Sequence, residues 1–147
     1  MPPCSLQSLM ADLARGEDIA PSGFAHLPGQ RLVVLQPGRA VAELLPDERH
    51  ADAVDATSVF GAHLVAIAAS AMSLAYGTTL EDGETGPTLE LTITFLQTAR
   101  LGVALRAEGR VLKSGGVTGS ATCDITDAAG QLVAQATCTC ARIVPRQ

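Results

Sequence analysis

The apolar positions of this chain fall into three regimes. Between Ser5 and Gly16, Leu6, Leu9, Met10 and Leu13 recur at the spacing of one helical face, which predicts a short amphipathic helix stopped by Gly16. Between Val59 and Tyr76 there is no Asp, Glu, Lys or Arg, and small residues are interleaved with Leu, Val, Ile and Met, which predicts a buried helix. From Thr88 onward the period shortens to two. Leu89, Leu91, Ile93 and Phe95 fall on one face of a strand, and Thr88, Glu90, Thr92 and Thr94 on the other. In LGVALRAEGRVL, Leu101, Val103, Leu105 and Val111 alternate with Arg106, Glu108 and Arg110. The strands VTGSATCDIT and QLVAQATCTCARI follow, with KSGG and DAAG as turns. Earlier in the chain, RLVVLQPGRAVAELL reads as two strands around Pro37 and Gly38, while EDIAPSGFAHLPGQ and PDERHADAVDA read as loops.

The late strands present small apolar faces, Val117, Gly119, Ala121 and Cys123 on one and Ala134, Ala136, Cys138 and Cys140 on the other. Small side chains let an Ala-rich helix approach a sheet closely, so helix and sheet fit each other. The expected architecture is α+β, a single domain over residues 1–147 with residues 1–20 as leader helix and loop, in which an antiparallel meander wraps a long central helix. A sheet that covers one side of the helix leaves its other side and the sheet edges open. A homo-oligomer, dimer or dimer of dimers, is the expected remedy.

Composition narrows the function classes. With 47% hydrophobic and only 17% charged residues, the chain is not a disordered one. A formal charge of −5 with ten scattered Lys and Arg lacks the basic footprint of a nucleic-acid binder. The uncharged stretch reaches the lower limit of a membrane span, but its Ala, Gly and Ser content, His63 and the lack of basic anchors favour a buried helix and no membrane partner. The first residues show no basic segment followed by an apolar run, so a reducing cytoplasmic compartment is expected, with Cys4, Cys123, Cys138 and Cys140 as thiols. Cys138 and Cys140 share a strand face as core thiols, and with neither CxxC nor HExxH present no metal or cofactor is expected.

PGRAVAELLPDERH, together with the stretch from TLELTITFLQTARL through ATCDITDAAGQLVAQATCTC, resembles the PaaI-type acyl-CoA thioesterases of the hotdog fold over roughly residues 20–143. The resemblance implies an acyl-CoA or acyl-carrier thioester as substrate. In that family an Asn and then His-Gly-Gly precede the helix, a carboxylate follows about two turns in, and a Ser or Thr from the next strand acts across a dimer. Gly61 matches the first Gly and Thr88 the Ser or Thr; Phe60 stands for the His, Ala62 for the second Gly and Ala69 for the carboxylate. Asp52 falls near the family's Asn. DAVDATSVFG is similar to the loop that carries the catalytic Asp in 4-hydroxybenzoyl-CoA thioesterases, which points to Asp55.

Thioester hydrolysis needs donors for the carbonyl oxygen and a group that activates water. The resemblance implies the Gly61 and Ala62 amides for the first task and Asp55, aided by Thr88 of a neighbouring subunit, for the second. The structural alternative for Asp55 is a helix N-cap or a solvated loop residue. Phe60, His63, Ala69 and Ser70 are candidate pocket residues, with Ser70 back-bonded to a helix carbonyl as the structural alternative. Arg106, Arg110 and Lys113 are candidates for the phosphates of coenzyme A, or else belong to a solvated strand face. Loss of the His and the helix acid leaves two further readings: a degenerate hotdog protein that binds an acyl thioester or small apolar ligand without turnover, and a dehydratase using His63 with Asp55.

Overall fold

The computed structural model describes residues 6–17 and 28–146. Cys4 and most of the loop expected over residues 17–30 lie outside the described residues. Helix α1, Leu6–Ala14, is followed by β1, Gln30–Gln36, and β2, Arg39–Leu44; then come α2, Gly61–Gly77, and the strands β3, Thr88–Phe95, β4, Leu105–Lys113, β5, Thr118–Asp127, and β6, Leu132–Ala141. A 3-10 turn, Glu48–His50, interrupts the loop before α2.

All six strands form one antiparallel sheet in the order β1-β2-β4-β5-β6-β3, with α2 packed on it. This is the α+β hotdog architecture, with one correction to the expected meander. Of the last four strands only β4, β5 and β6 run as neighbours in sequence; β3 crosses to the far edge and pairs with β6 alone. The two faces of the sheet separate as the alternation requires. Ala107, Ala121, Cys123, Ala134, Ala136, Cys138 and Cys140 are fully buried or nearly so against the helix, whose Ile67, Ala68, Ala71, Met72, Ala75 and Tyr76 are completely inaccessible.

Small side chains set the distance between helix and sheet. A Cβ placed on Gly109 of β4 would sit 2.5 Å from the carbonyl carbon and oxygen of Ala71, so the helix backbone rests directly on the strand. A Cβ on Gly119 would sit 2.3 Å from the Tyr76 ring, and one on Gly86 would sit 2.7 Å from the same ring. Tyr76 is thus clasped between two glycines at the C-terminal end of α2. Its hydroxyl is buried without a hydrogen-bond partner among the described residues, and burial pushes its pKa up. An unpaired buried hydroxyl costs stability, so Tyr76→Phe is expected to raise stability by about 1 kcal/mol. A thermal melt checks this, and a lowered melting point would mean that the hydroxyl has a partner in solution.

Two further details of the sequence pattern give way to tertiary pairing. Helix α2 starts at Gly61 rather than Val59, because the Val59 amide donates to the Ala99 carbonyl (2.9 Å) and Val59 pairs with Ala51. The strand expected from Leu101 begins at Leu105, after a turn. A β-bulge between Thr88 and Glu90 also breaks the expected alternation. It turns Thr88 onto the helix face, where its hydroxyl lies 3.3 Å from the Ser73 Oγ and 3.9 Å from the Cys140 Sγ.

Edge strand β3 is mostly exposed, and Leu89, Phe95 and Leu96 beside it are half exposed or more. Among the described residues, no helix is long and apolar enough to cross a membrane.

Candidate functional site

Phe60 caps the N-terminus of α2 with extended backbone (φ −61°, ψ 127°) and offers no side-chain hydrogen bond to the helix. The Phe60 amide itself donates to the His50 carbonyl (2.8 Å), and the His63 amide donates to the Phe60 carbonyl (3.0 Å). Between them, the amides of Gly61 and Ala62 donate to no acceptor among the described residues. Such free N–H groups, with the partial positive charge of the helix end, are suited to an anion or a polarised carbonyl oxygen.

Beside this first turn opens a cavity of about 380 Å³, lined by Val59, Gly61, Leu64, Phe95, Thr98 and Ala99 among others. The Phe95 ring lies over Gly61, with its Cζ 3.2 Å from where a Cβ would be. A side chain at position 61 would require this half-exposed ring to give by a few tenths of an ångström. Phe95 was expected only as a strand residue; its position at the end of β3, level with the helix start, is a consequence of the crossover.

The acids before the helix are held by their own loop. Asp52 accepts from the amides of Val54 (2.8 Å) and Asp55 (3.1 Å), which makes it a turn-forming residue. Asp55 accepts from the Thr57 hydroxyl (2.6 Å) and amide (3.0 Å) and from Arg100 Nη1 (3.2 Å). Hydrogen bonds from Thr57, then the charge of Arg100, hold its pKa below the ordinary aspartate value. Asp55 is therefore an ionised carboxylate at neutral pH, half exposed, and a weaker base than a free one. Arg100 lies 45 residues away in sequence, and no local pattern could have paired the two.

Of the helix candidates, Ser70 donates to the Ala66 carbonyl (2.8 Å), the back-bonded arrangement. His63 is partly buried, with its ring edge-on to His50 (centroids 4.9 Å apart) and to Phe60 (6.3 Å). Burial, then the neighbouring His50, lowers its pKa, so it is neutral at pH 7. His50 itself is buried: Nδ1 accepts from the Asp47 amide (3.0 Å) and Nε2 faces the Pro28 carbonyl (2.7 Å), which fixes the Nε2–H tautomer. It closes a capping box with Asp47, a spacing of three that the sequence does display.

Ala69 is partly buried eight residues into α2, about 12 Å from Gly61 along the axis, and the Ser73–Thr88 hydroxyl pair is about 18 Å away. Within one chain these groups cannot meet a ligand carbonyl held at Gly61. Nothing in the sequence pattern marks Ser73. It stands one turn beyond Ala69 on the same helical face.

Arg106 and Arg110 project from the face of β4 opposite the helix. Arg106 pairs with Glu43 (3.0 Å) and Arg110 with Glu108, which also holds Arg39 (2.8 Å). Lys113 ends the same strand, exposed. The thiols of Cys123 and Cys138 are pushed up to about 12, chiefly by burial, and Cys138 and Cys140 lie 3.8 Å apart in the core. Cys123 and Cys138, as protonated thiols, act as small packing residues.

The thioesterase superfamily model matches residues 57–134, which run from the loop before α2 into β6 and make up more than half of the chain. The chain belongs to the thioesterase superfamily. Solved structures resemble it over most of its length. A phenylacetic acid degradation-related protein from Ralstonia eutropha is 27% identical, with a TM-score of 0.75 over 90% of this chain and 98% of that one. The PaaI protein of the E. coli phenylacetic acid degradation operon is 21% identical, with a TM-score of 0.77 over 96% of each chain. A Streptococcus mutans protein, solved bound to acetyl-CoA, is 22% identical, with a TM-score of 0.70 over 79% of this chain and 90% of that one. None of the curated proteins matches the chain.

Proposed function

We propose that this thioesterase-superfamily protein binds an acyl-CoA or acyl-carrier thioester and hydrolyses it. The observation that carries the reading is the pair of unpaired amides at Gly61 and Ala62 beside an open cavity at the start of α2. Donors fixed in advance stabilise the oxyanion that forms when water attacks a thioester carbonyl, and their cost is met on folding rather than during the reaction. A homologue with acetyl-CoA bound supports the coenzyme as carrier.

The second half of the site comes from another copy of the chain. Thr88 and Ser73 are too far along the helix to serve their own Gly61, and β3, the strand that carries Thr88, is an open edge with Leu89 and Phe95 beside it. Pairing of two copies along this edge covers the apolar side chains and brings the Thr88 hydroxyl to the partner's site. Asp55, in the loop before α2, is the base that activates water.

Asp55→Asn is expected to lower the rate of thiol release from acyl-CoA esters by about 100-fold or more, with the fold intact. Because Thr57 and Arg100 hold the Asp55 pKa down, the acid limb of the wild-type rate profile should fall below pH 3.8, the ordinary aspartate value. The carboxylate is active when deprotonated, so activity is present above its folded pKa and lost as pH falls through it. An unchanged rate in Asp55→Asn removes this residue from the chemistry.

One observation favours binding without turnover. Asp55 is engaged by three donors, and the sequence resemblance to PaaI-type enzymes puts Ala69 where those carry a helix acid. Tight binding of acyl-CoA with thiol release at background supports that reading instead.

A further inference from the structure

The geometry points to Arg100 as the receptor for a phosphate on the thiol half of the substrate, with Asp55 as the counter-ion that holds the guanidinium in place until the phosphate arrives. This extends the thioester-binding reading and rests on it.

Position is the first argument. Arg100 follows Ala99, which lines the cavity at the start of α2, and its backbone bridges Ser58, next to the cavity residue Val59. Its half-exposed guanidinium is held to Asp55 and Thr57, in the loop that leads into α2. Arg106 and Arg110 instead stand on the face of β4 away from α2.

Unused donors are the second. Arg100 uses Nη1 alone, toward Asp55 Oδ2 (3.2 Å) and Thr57 Oγ1 (3.0 Å). Its Nε and Nη2 make no hydrogen bond among the described residues, leaving a planar pair of donors of the kind that fits a phosphate. Arg49, the other cation near this end of the helix, has both Nε and Nη2 committed to Asp47. Arg106 and Arg110 are paired with Glu43 and Glu108, and Arg142 is paired with Glu84 near the far end of α2.

Exchangeability is the third. The side chains of Arg100 and Asp55 are 54% and 51% exposed, so their ion pair is a solvated one that contributes little to stability and is readily traded. Asp55 keeps the Thr57 hydroxyl and amide when Arg100 leaves, so its carboxylate is not stranded. The formal charge of −5 repels anions in general, and a phosphate-bearing ligand therefore needs a specific receptor.

The test is calorimetric binding of coenzyme A, 4′-phosphopantetheine and pantetheine to the full chain at low salt. Arg100→Gln is expected to weaken coenzyme A at least tenfold and leave pantetheine unchanged. Loss of 4′-phosphopantetheine binding alongside assigns the receptor to the phosphate next to pantetheine; its retention assigns it to the nucleotide phosphates. Asp55→Asn should tighten coenzyme A several-fold. Arg100→Lys, which keeps the charge and loses the fork, should fall between wild type and Gln, and it replaces the Gln variant if that one melts early. Equal weakening of all three ligands, or no change in any, overturns the assignment and leaves Arg100 as a pin between two loops. If wild type binds none of the three, the thioester reading fails and this inference with it.

Discussion

Gly109→Ala is expected to destabilise the protein by about 3 kcal/mol, the upper end of typical overpacking penalties. The added methyl would meet the carbonyl carbon and oxygen of Ala71 at 2.5 Å and the Met72 amide nitrogen at 2.9 Å. These are backbone atoms of the central helix and cannot rotate aside, so relief requires lifting α2 off β4. Lifting it opens gaps around Ile67, Ala68, Ala71, Met72 and Ala75, all of which are completely buried. For a chain of this size the loss corresponds to a melting point about 10 °C lower. Gly102→Ala, in a turn with nothing within 4 Å of the added methyl, is the control for strain alone, since its φ of +78° disfavours any side chain. A Gly109→Ala protein that melts with wild type would mean that the helix is not seated on the sheet as described.

Ala69→Asp is expected to raise thioester hydrolysis by about 100-fold to 10,000-fold. By the sequence resemblance to PaaI-type enzymes the substitution restores the helix carboxylate, one turn before Ser73 and on the same face, where in the proposed dimer it serves the carbonyl held at the partner's first turn of α2. The Asp55 carboxylate is weakened as a base by the Thr57 and Arg100 hydrogen bonds; a carboxylate at position 69 has neither. Ala69 is only partly buried, so the new charge keeps contact with water and the helix tolerates it. Thiol release from a panel of acyl-CoA esters reads the effect, with Ala69→Asn as the uncharged control. Equal rates in the Asp, Asn and wild-type proteins would show that position 69 does not face the thioester.

The fold was largely legible because two periodicities are written plainly in the chain. An uncharged stretch bounded by Phe60 and Gly77 and a run of period-two strands with small inward faces leave few ways to bury both. The order of strands was not legible, since alternation says which face a residue takes and nothing about which strand lies beside it. The crossover that carries β3 to the far edge is therefore the main topological correction, and it is what brings Phe95 to Gly61.

The site was legible only in part, and for definite reasons. A bulge at Thr88 inverts its side chain, which no count of alternating positions detects. Asp55 and Arg100 meet across 45 residues, so the acid was visible and its partner was not. Arg106 and Arg110 are a different case. The same alternation that makes Ala107 and Gly109 face the helix sends both arginines to the other side of the sheet, and that signal was in the sequence. His50 was likewise readable from its spacing to Asp47, but a buried histidine in a capping box looks like any polar loop residue until the loop is folded.

Amide NMR of the 15N-labelled protein with a non-hydrolysable acyl-CoA thioether ketone tests the central claim most directly. A ligand carbonyl seated at the first turn of α2 should move the Gly61 and Ala62 amide protons downfield, as two unpaired donors acquire an acceptor. Saturable binding with those two resonances unmoved, and shifts confined to other parts of the chain, would contradict it.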